Sequence, residues 1–386
     1  MNILTGFASV LRQKRKNCGY TQKQLAEIIG YSEKSVSKWE SADALPRSVI
    51  LPMLSEALHV SIDDLFEYCG EPAYFLGIDG GGTKTDFMLP DKDGPVINHI
   101  TLGESNPVDI GFDKTFHVLD NGIREVCGDI SHGKISVFAG IARGITGENK
   151  QKISEFLKRY RFCRYDNGSD AQNAVEAALL DGDGITVILG TGDIAFTRVG
   201  DSLYRTGGYG YLFDTGGSGY SIGRDAILES LNCEQNGTDA TILLDMLKKH
   251  LGKSSLLDSL SDLYDGGKKK IASVAPLVFD AYKTGDETAI TILERNFAAV
   301  AKLIIDAARH ISNVNITVRL VGSISQNDCV VALINKHITQ LDTNRSYNIS
   351  VCSTAPVIGA LRLAGMKKEI QYDKNRTQKS KQYEYR

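Results

Sequence analysis

The sequence predicts an all-α domain over residues 1–70 followed by a larger α/β region built as two similar halves. Three observations lead there. The first segment contains only short amphipathic helical patterns. From Ala73 onward, apolar strand-like runs alternate with helical segments. One pattern of strand, glycine turn and strand, FLGIDGGGTKTDFML, returns later as GITVILGTGDIAFTRV. At 386 residues the chain has room for two or three domains.

Charge is close to balanced, at -3, which excludes a polybasic nucleic-acid coat and confines any DNA contact to a local patch. The cysteines, Cys18, Cys69, Cys127, Cys163, Cys233, Cys329 and Cys352, are odd in number and never spaced C-x-x-C. That pattern argues against a disulfide framework or a zinc site and fits a reducing compartment. No apolar run approaches the roughly 20 residues of a membrane span, and the amino terminus shows no signal pattern. A soluble cytoplasmic protein with no membrane partner is expected.

In GFASVLRQKRKN, Phe7, Val10 and Leu11 share one helical face, while Arg12, Lys14, Arg15 and Lys16 spread around the other; Gly19 ends the helix. Thr21 caps a second helix closed by Gly30, and Ser32 caps a third, EKSVSKWE. LPRSVILPMLSEALHV and SIDDLFEY complete a five-helix unit. Two short helices joined by a tight glycine-containing turn form a helix-turn-helix.

The stretch TQKQLAEIIGYSEKSVSKWESADALPR resembles the Cro-repressor (XRE) family of DNA-binding domains. That resemblance implies that Glu33–Glu40 enters the major groove of double-stranded DNA. Ser32, Lys34, Ser35 and Lys38 would then face bases or phosphates, and Gln22 would meet the backbone. A homodimer on paired half-sites is the default arrangement. The charges agree: basic residues dominate up to Glu40, whereas Asp63, Asp64 and Glu67 fall in the last helix. The same fold can also serve protein contacts without reading bases.

The α/β region opens with strands at 74–79 and 85–89, enclosing Gly80, Gly81 and Gly82. Next come VINHITL, a helix near 112–126, the strand KISVFAGIA, a helix near 149–159, a strand around Phe162 and a helix from Asp170 to Leu180. Three consecutive glycines exceed what a tight hairpin needs, since each costs backbone entropy on folding. The surplus suggests a ligand against the backbone. Exposed NH groups, the hydroxyls of Thr83 and Thr85 and the charge of Lys84 would suit a phosphate. The recurrence at GTGD implies two halves, 73–182 and 183–366, each bringing a glycine turn to a nucleotide in a cleft between them. The tail, 367–386, is polar and lysine-rich and is expected to be disordered.

GIDGGGTKT, SDAQNAVEAAL, GTGDIAF, GGYGYLFDTGGSGY and LVGSISQN, in that order, resemble the BadF/BadG/BcrA/BcrD ATPase family, and within it the N-acetylglucosamine kinases. The fold implied is a duplicated ribonuclease H-like, actin-like ATPase with ATP and Mg2+ as cofactors and an amino sugar as substrate or effector. By the same resemblance, Asp170 is the base that accepts the sugar hydroxyl's proton, with Asp166 as the fallback. Position alone would equally make Asp170 a helix cap. Asp79 would hold Mg2+ through water. ATP would meet Gly80, Gly81, Gly82, Thr83, Lys84, Thr85, Gly190, Thr191, Gly192, Gly322, Ser323 and Asn327. The sugar would meet Asn106, Asp170, Gly208, Tyr209, Gly210, Asp214 and Thr215.

The chain departs from that family at two places. Tyr209 replaces the expected tryptophan, and DTGGS puts Thr215 and Gly216 where Asp-Glu belongs, a one-residue shift of Asp214 being the nearest substitute. GTGD replaces GTGS, so Asp193 brings negative charge to a phosphate loop. A further branch of the family activates dehydratases through iron–sulfur ligands, but only Cys233 lies in the corresponding region. The motifs allow two readings: a DNA-binding regulator with a working N-acetylhexosamine kinase domain, or a catalytically silent regulator that senses a sugar or nucleotide.

Overall fold

The computed structural model describes residues 3–60, 62–66, 71–200, 202–237 and 241–370. Cys69, Glu67, the side chains of Asp63 and Asp64, the boundary near 70 and the tail beyond 370 lie outside the described residues. By internal contacts the chain divides into two compact units, Met1–Asp170 with Ala360–Arg386, and Ala171–Gly359.

The first unit opens with α1 (Ile3–Asn17), α2 (Gln22–Ile29), α3 (Glu33–Glu40), α4 (Leu51–Ala57) and α5 (Ile62–Phe66). Their apolar faces meet around Phe7, Leu11, Leu25, Val36, Trp39 and Leu54. Thr21 and Gln24 form a reciprocal capping box on α2, and Gly30 closes it at φ 70°. Ser32 caps α3. The fourth expected helix begins with a 3-10 turn, Ser48–Ile50, because Pro52 falls in the first turn of α4 and cannot donate to a longer helix.

The same unit continues into a five-stranded sheet: β1 (Tyr74–Gly80), β2 (Thr85–Pro90), β3 (Val96–Leu102), β4 (Ile135–Ile141) and β5 (Arg164–Gly168). The order is β3-β2-β1-β4-β5, antiparallel on the β2 side and parallel on the β4 side. Helices α6 (Pro107–Ile110), α7 (Phe112–Cys127) and α8 (Asn149–Lys158) connect these strands, and α7 and α8 bury Leu119, Ile123, Ile153 and Leu157 against the sheet. The strand expected around Phe162 lies at 164–168. Phe162 is buried just before it, while β5 itself is a polar edge strand with no apolar alternation to announce it.

The second unit repeats this sheet. After α9 (Asp170–Leu179) come β6 (Gly184–Leu189), β7 (Asp193–Val199) and β8 (Ser202–Gly207). Helices α10 (Gly219–Asn236), α11 (Ile242–Leu251), α12 (Leu260–Ala272), α13 (Ala275–Lys283) and α14 (Glu287–Ala307) form an all-helical insertion. The chain then forms β9 (Asn315–Val321), α15 (Cys329–Leu341), β10 (Ser346–Val351) and α16 (Pro356–Leu363). The order β10-β9-β6-β7-β8 is that of the first sheet, strand for strand, with the same parallel and antiparallel neighbours.

The division at 170/171 falls earlier than the 182/183 read from the sequence, because α9 packs with elements of the second unit. Glu176 pairs with Arg198 of β7 at 2.8 Å, Cys352 donates to the Ala177 carbonyl, and Gly359 sits against the Asn173 backbone.

Candidate functional site

In the first unit the glycine turn lies at the carboxyl end of β1. Gly80 is the last strand residue, and the Gly81 N–H donates to the Lys84 carbonyl at 2.9 Å, closing the turn. A Cβ on Gly80 would stand 2.3 Å from Ser105 Oγ and 2.6 Å from Ile141 Cδ1, so packing alone requires glycine there. Gly81 and Gly82 are different. Neither has a left-handed backbone, and added Cβ atoms would meet nothing closer than 3.4 Å. Packing thus accounts for the first glycine and not for the other two.

Thr83 and Lys84 are exposed at the turn, whereas Thr85 is fully buried. The Thr85 hydroxyl donates to the Gly103 carbonyl at 2.7 Å and lies 2.8 Å from Ser105 Oγ. It therefore orders the loop from beneath instead of standing in solvent as a phosphate ligand. Lys84 Nζ donates to Asp86 Oδ2 at 2.6 Å, and Thr101 donates to Oδ1 of the same carboxylate. Asp79 lies directly opposite Asp86 across β1 and β2. Asn106 caps α6, accepting from the Val108 N–H and donating to Asp109 Oδ2, so its side chain is held locally. Asp109 is the acidic group nearest Gly82 and nothing in the sequence marked it.

Asp170 opens α9 immediately after β5 and is half-buried, in a first turn where the helix dipole favours a carboxylate. Asp166 stands exposed on β5, where it accepts its own strand's Asn167 N–H and lies 3.9 Å from Lys150.

In the second unit, Gly190, Thr191 and Gly192 join β6 to β7, the Gly190 N–H donating to the Gly192 carbonyl at 2.9 Å. Thr191 and Gly192 are exposed, and added Cβ atoms on Gly190 and Gly192 would meet nothing within 4 Å. The first turn of α10 reaches this loop through Gly219 N–H to Gly190 O at 2.7 Å and Tyr220 N–H to Thr191 O at 3.2 Å. Gly322, at φ 107°, ends β9, which runs parallel to β6. Its Cβ would lie 2.3 Å from the Leu189 carbonyl, so the Gly322 and Gly190 turns are neighbours. Ser323 is exposed there; Asn327 donates to the Ile324 carbonyl at 2.9 Å and closes the turn.

Asp193 is 5% exposed, and its Oδ1 has no hydrogen-bond partner. Burial first, and then the nearby Asp214 charge, push its carboxyl up to about 7. Asp214 is turned onto its own loop, accepting from Tyr209 N–H at 2.7 Å and Gly210 N–H at 3.1 Å. Tyr209 is exposed, Thr215 is exposed, and Gly208 at φ 70° packs on Ile194. Gly216, at φ 153° with a Cβ position 3.1 Å from Ala299, has little room for the family's carboxylate.

Among the helices of the first segment, Ser32, Lys34 and Lys38 are exposed and Ser35 is half-buried, with Ser32 capping α3 and the others on it. Two residues counted toward a DNA face have other work. Arg15 is buried and bidentate on Glu40, at 2.6 and 2.9 Å, and Gln22 Nε2 donates to the same carboxylate at 2.9 Å. Burial opposes ionisation of Glu40, but the hydrogen bonds from Arg15 and Gln22 and the charges of Arg15 and Arg12 together hold its carboxyl below the usual range. This buried hub ties α1 and α2 to α3; residues 25 positions apart in sequence gave no sign of it.

Residues 76–364 match the BadF/BadG/BcrA/BcrD ATPase family, and residues 11–65 match a helix-turn-helix family. The chain belongs to the BadF/BadG/BcrA/BcrD ATPase family. It is 31% identical over 229 residues to an N-acetylmuramic acid/N-acetylglucosamine kinase of Clostridium acetobutylicum, covering 57% of this chain and 74% of that one. Over 60 residues it is 42% identical to the cryptic phage CTXphi transcriptional repressor RstR of Vibrio cholerae, covering 16% of this chain and 51% of the repressor. A solved structure of a candidate N-acetylglucosamine kinase from Chromobacterium violaceum shares the fold at TM-score 0.61 and 21% identity, covering 76% of this chain and 99% of that one. The protein therefore carries a helix-turn-helix module ahead of a BadF/BadG/BcrA/BcrD ATPase-family domain whose fold is shared with the Chromobacterium violaceum structure. Among the described residues no helix is long and apolar enough to cross a membrane.

Proposed function

We propose that the chain is a DNA-binding regulator whose kinase domain transfers the γ-phosphate of ATP to a hydroxyl of an N-acetylhexosamine such as N-acetylglucosamine. The observation that carries this reading is the pair of open glycine turns. Gly81 and Gly82, and Gly190 and Gly192, are required by neither packing nor left-handed backbone, and both turns lie at strand ends, where α/β sheets take ligands. Backbone N–H groups with Thr83, Lys84 and Thr191 take phosphate oxygens, and Ser323 and Asn327 mark the adenosine side.

The chemistry is positioning and one proton transfer. The sugar oxygen bonds to the γ-phosphorus as the bond to the β,γ-bridging oxygen breaks and ADP leaves; the hydroxyl proton passes to the Asp170 carboxylate. Among the described residues no three His, Cys, Asp or Glu side chains converge as a metal cage. Magnesium fits the residues present, since it is usually shared between one or two carboxylates and substrate phosphates, and Asp79 opposite Asp86 offers hard oxygen donors. When bound it neutralises charge on the phosphates. Asn106, Gly208, Tyr209, Gly210, Asp214 and Thr215 orient the sugar. Around α3, Ser32, Lys34, Ser35 and Lys38 meet DNA, with the protein a homodimer in the cytoplasm, where ATP and DNA are both at hand.

Release of ADP with Mg-ATP against N-acetylglucosamine, N-acetylmuramic acid, glucosamine and glucose tests this. Sugar-dependent turnover is expected, with Asp170→Asn lowering it by about 10²–10⁴-fold. Nucleotide or sugar bound without turnover would instead favour a silent sensor, the reading that the glycine at 216 and the carboxylate at 193 support.

A further inference from the structure

The loop that joins β8 to α10, residues 208–218, is set down on α14 at both ends. Upstream, Gly207 takes φ 69°, and an added Cβ would stand 2.8 Å from Leu303. Downstream, Gly217 takes φ 98° and its Cβ would stand 2.1 Å from Val300, so conformation and packing both demand glycine. Between the two ends, Tyr209, Leu212 and Phe213 are exposed. What fastens the downstream end is Asn296, on α14 and 1% exposed. Its Oδ1 accepts the Gly217 N–H at 2.9 Å, while Nδ2 donates to Asp225 Oδ2 and to the Ile292 carbonyl, each at 2.9 Å. The amide can face only this way, because turning it over would set its NH2 against the Gly217 N–H and its oxygen against a carboxylate. Asp225, also buried, is held in turn by Arg224 at 2.8 Å and Arg295 at 3.0 Å.

The anchored end runs straight into the second glycine turn's own support. Ser218 caps α10 and forms a capping box with Ser221, which fixes where the helix begins. The next two N–H groups, which a helix start leaves without partners inside the helix, donate to that turn: Gly219 to the Gly190 carbonyl and Tyr220 to the Thr191 carbonyl. A parallel contact joins the Tyr211 ring of the loop to Tyr220, edge to face with centroids 4.9 Å apart. The run from Gly217 to Tyr220 thus ties the loop to the turn, and Asn296 sets its position.

Resting on the reading of the loop as the sugar's and of the turn as the nucleotide's, we infer that Asn296 is a positioning residue that holds the two in one register, so that each ligand's binding strengthens the other's. Buried as it is, Asn296 acts through the Gly217 N–H and not by touching substrate. A nucleotide that orders the Gly190–Gly192 turn fixes the first turn of α10, and with it the end of the sugar loop. A sugar acts in the reverse direction, and the coupling is reciprocal. Without the amide, Gly217 has no acceptor at that place and the loop settles independently of the turn.

The test is calorimetric titration of the full-length protein with N-acetylglucosamine, with and without saturating Mg-ADP, and with Mg-ADP, with and without the sugar. In the wild type each ligand is expected to tighten the other by the same factor, about fivefold or more; in Asn296→Ala each still binds alone, but the factor falls to about one. The exchange Asn296→Asp with Asp225→Asn rebuilds the acceptor for Gly217 and the bond between the two side chains, and restores the factor. Asp286→Ala is the control. Asp286 is buried at the start of the same helix, where it accepts the Ala289 and Leu243 N–H groups, so its loss costs stability away from the loop and leaves the factor intact. Binding of both ligands by the wild type without coupling overturns the inference, leaves the two site readings standing and needs no variant to fold. Wild-type coupling in Asn296→Ala, or an equal loss in Asp286→Ala, overturns the assignment to Asn296. Failure of either ligand to bind the wild type overturns the site readings beneath the inference, and the inference with them.

Discussion

The two glycine turns occupy equivalent places in two sheets of identical strand order, yet their electrostatics are opposite. The first turn presents a lysine, Lys84, held by Asp86, and rests on a buried hydroxyl pair, Thr85 and Ser105. The second presents no cation and leads into a buried carboxylate, Asp193, under the influence of Asp214. Their glycines differ as well: Gly80 is demanded by its neighbours, while Gly190 and Gly192 border open space. Topology thus fixes where a phosphate could sit, and side chains decide what charge meets it. A duplicated fold need not keep a duplicated site.

The sharpest way to break this comparison is alanine at the matching glycines. In Gly80→Ala the new methyl would overlap Ser105 Oγ and Ile141 Cδ1, and Ser105 is tied to Thr85 and cannot step aside freely. Overpacking of this kind costs about 3 kcal/mol, read as a lower denaturation midpoint. Gly190→Ala has room and an ordinary backbone, so its midpoint stays within about 0.5 kcal/mol while nucleotide affinity falls. Equal destabilisation by the two substitutions would contradict the distinction between a packing glycine and a ligand glycine.

Asp193 gives the next largest effect. Its carboxyl is raised from 3.8 to about 7 in the fold, so between those values the folded state holds a proton that the unfolded state has released. Stability therefore falls as pH rises through that window and levels off above it. Asp193→Asn should stabilise the protein by on the order of 2 kcal/mol at pH 8 and leave it nearly unchanged at pH 4, as seen by thermal melting at both pH values. No corresponding gain is expected from removing Asp86 in the first turn, whose carboxylate has Lys84 and Thr101 as donors. A pH-independent gain at Asp193 would mean that burial of the side chain, and not its charge, is what costs stability.

These contrasts also mark what the sequence could reveal. The helical caps at Thr21 and Ser32, the strand pairs around each turn and the repeat itself are local patterns, and the structure forms them where the residues indicate. The burial of Thr85 and Arg15 was not legible, because each depends on partners brought in by folding, Gly103 with Ser105 and Glu40 respectively. A threonine after a glycine turn reads as a ligand until a second strand covers it. The edge strand β5 escaped placement because its residues are polar. The charge of Asp193 was visible in the sequence, but its burial and the unpartnered Oδ1 were not, since both depend on the packing that folding brings around β7.

The smallest effect belongs to Lys84. Its side chain is 63% exposed while that of Asp86 is only 11% exposed, and a pair open to solvent on its lysine side contributes about 1 kcal/mol, because water screens the ammonium and the long lysine side chain loses freedom. Lys84→Met keeps the apolar stem and removes the ammonium, so the denaturation midpoint should barely move. Nucleotide affinity should fall by roughly tenfold, the size of one charge-assisted hydrogen bond, and the fall should shrink as salt is raised. The same methionine substitution at Thr191, in the second turn, removes no charge, so its effect on affinity should not depend on salt. Salt dependence at Lys84 but not at Thr191 would show that the two turns hold phosphate by different means, one through a side-chain cation and one through backbone N–H groups. An affinity unchanged in Lys84→Met would place the lysine wholly in the service of Asp86.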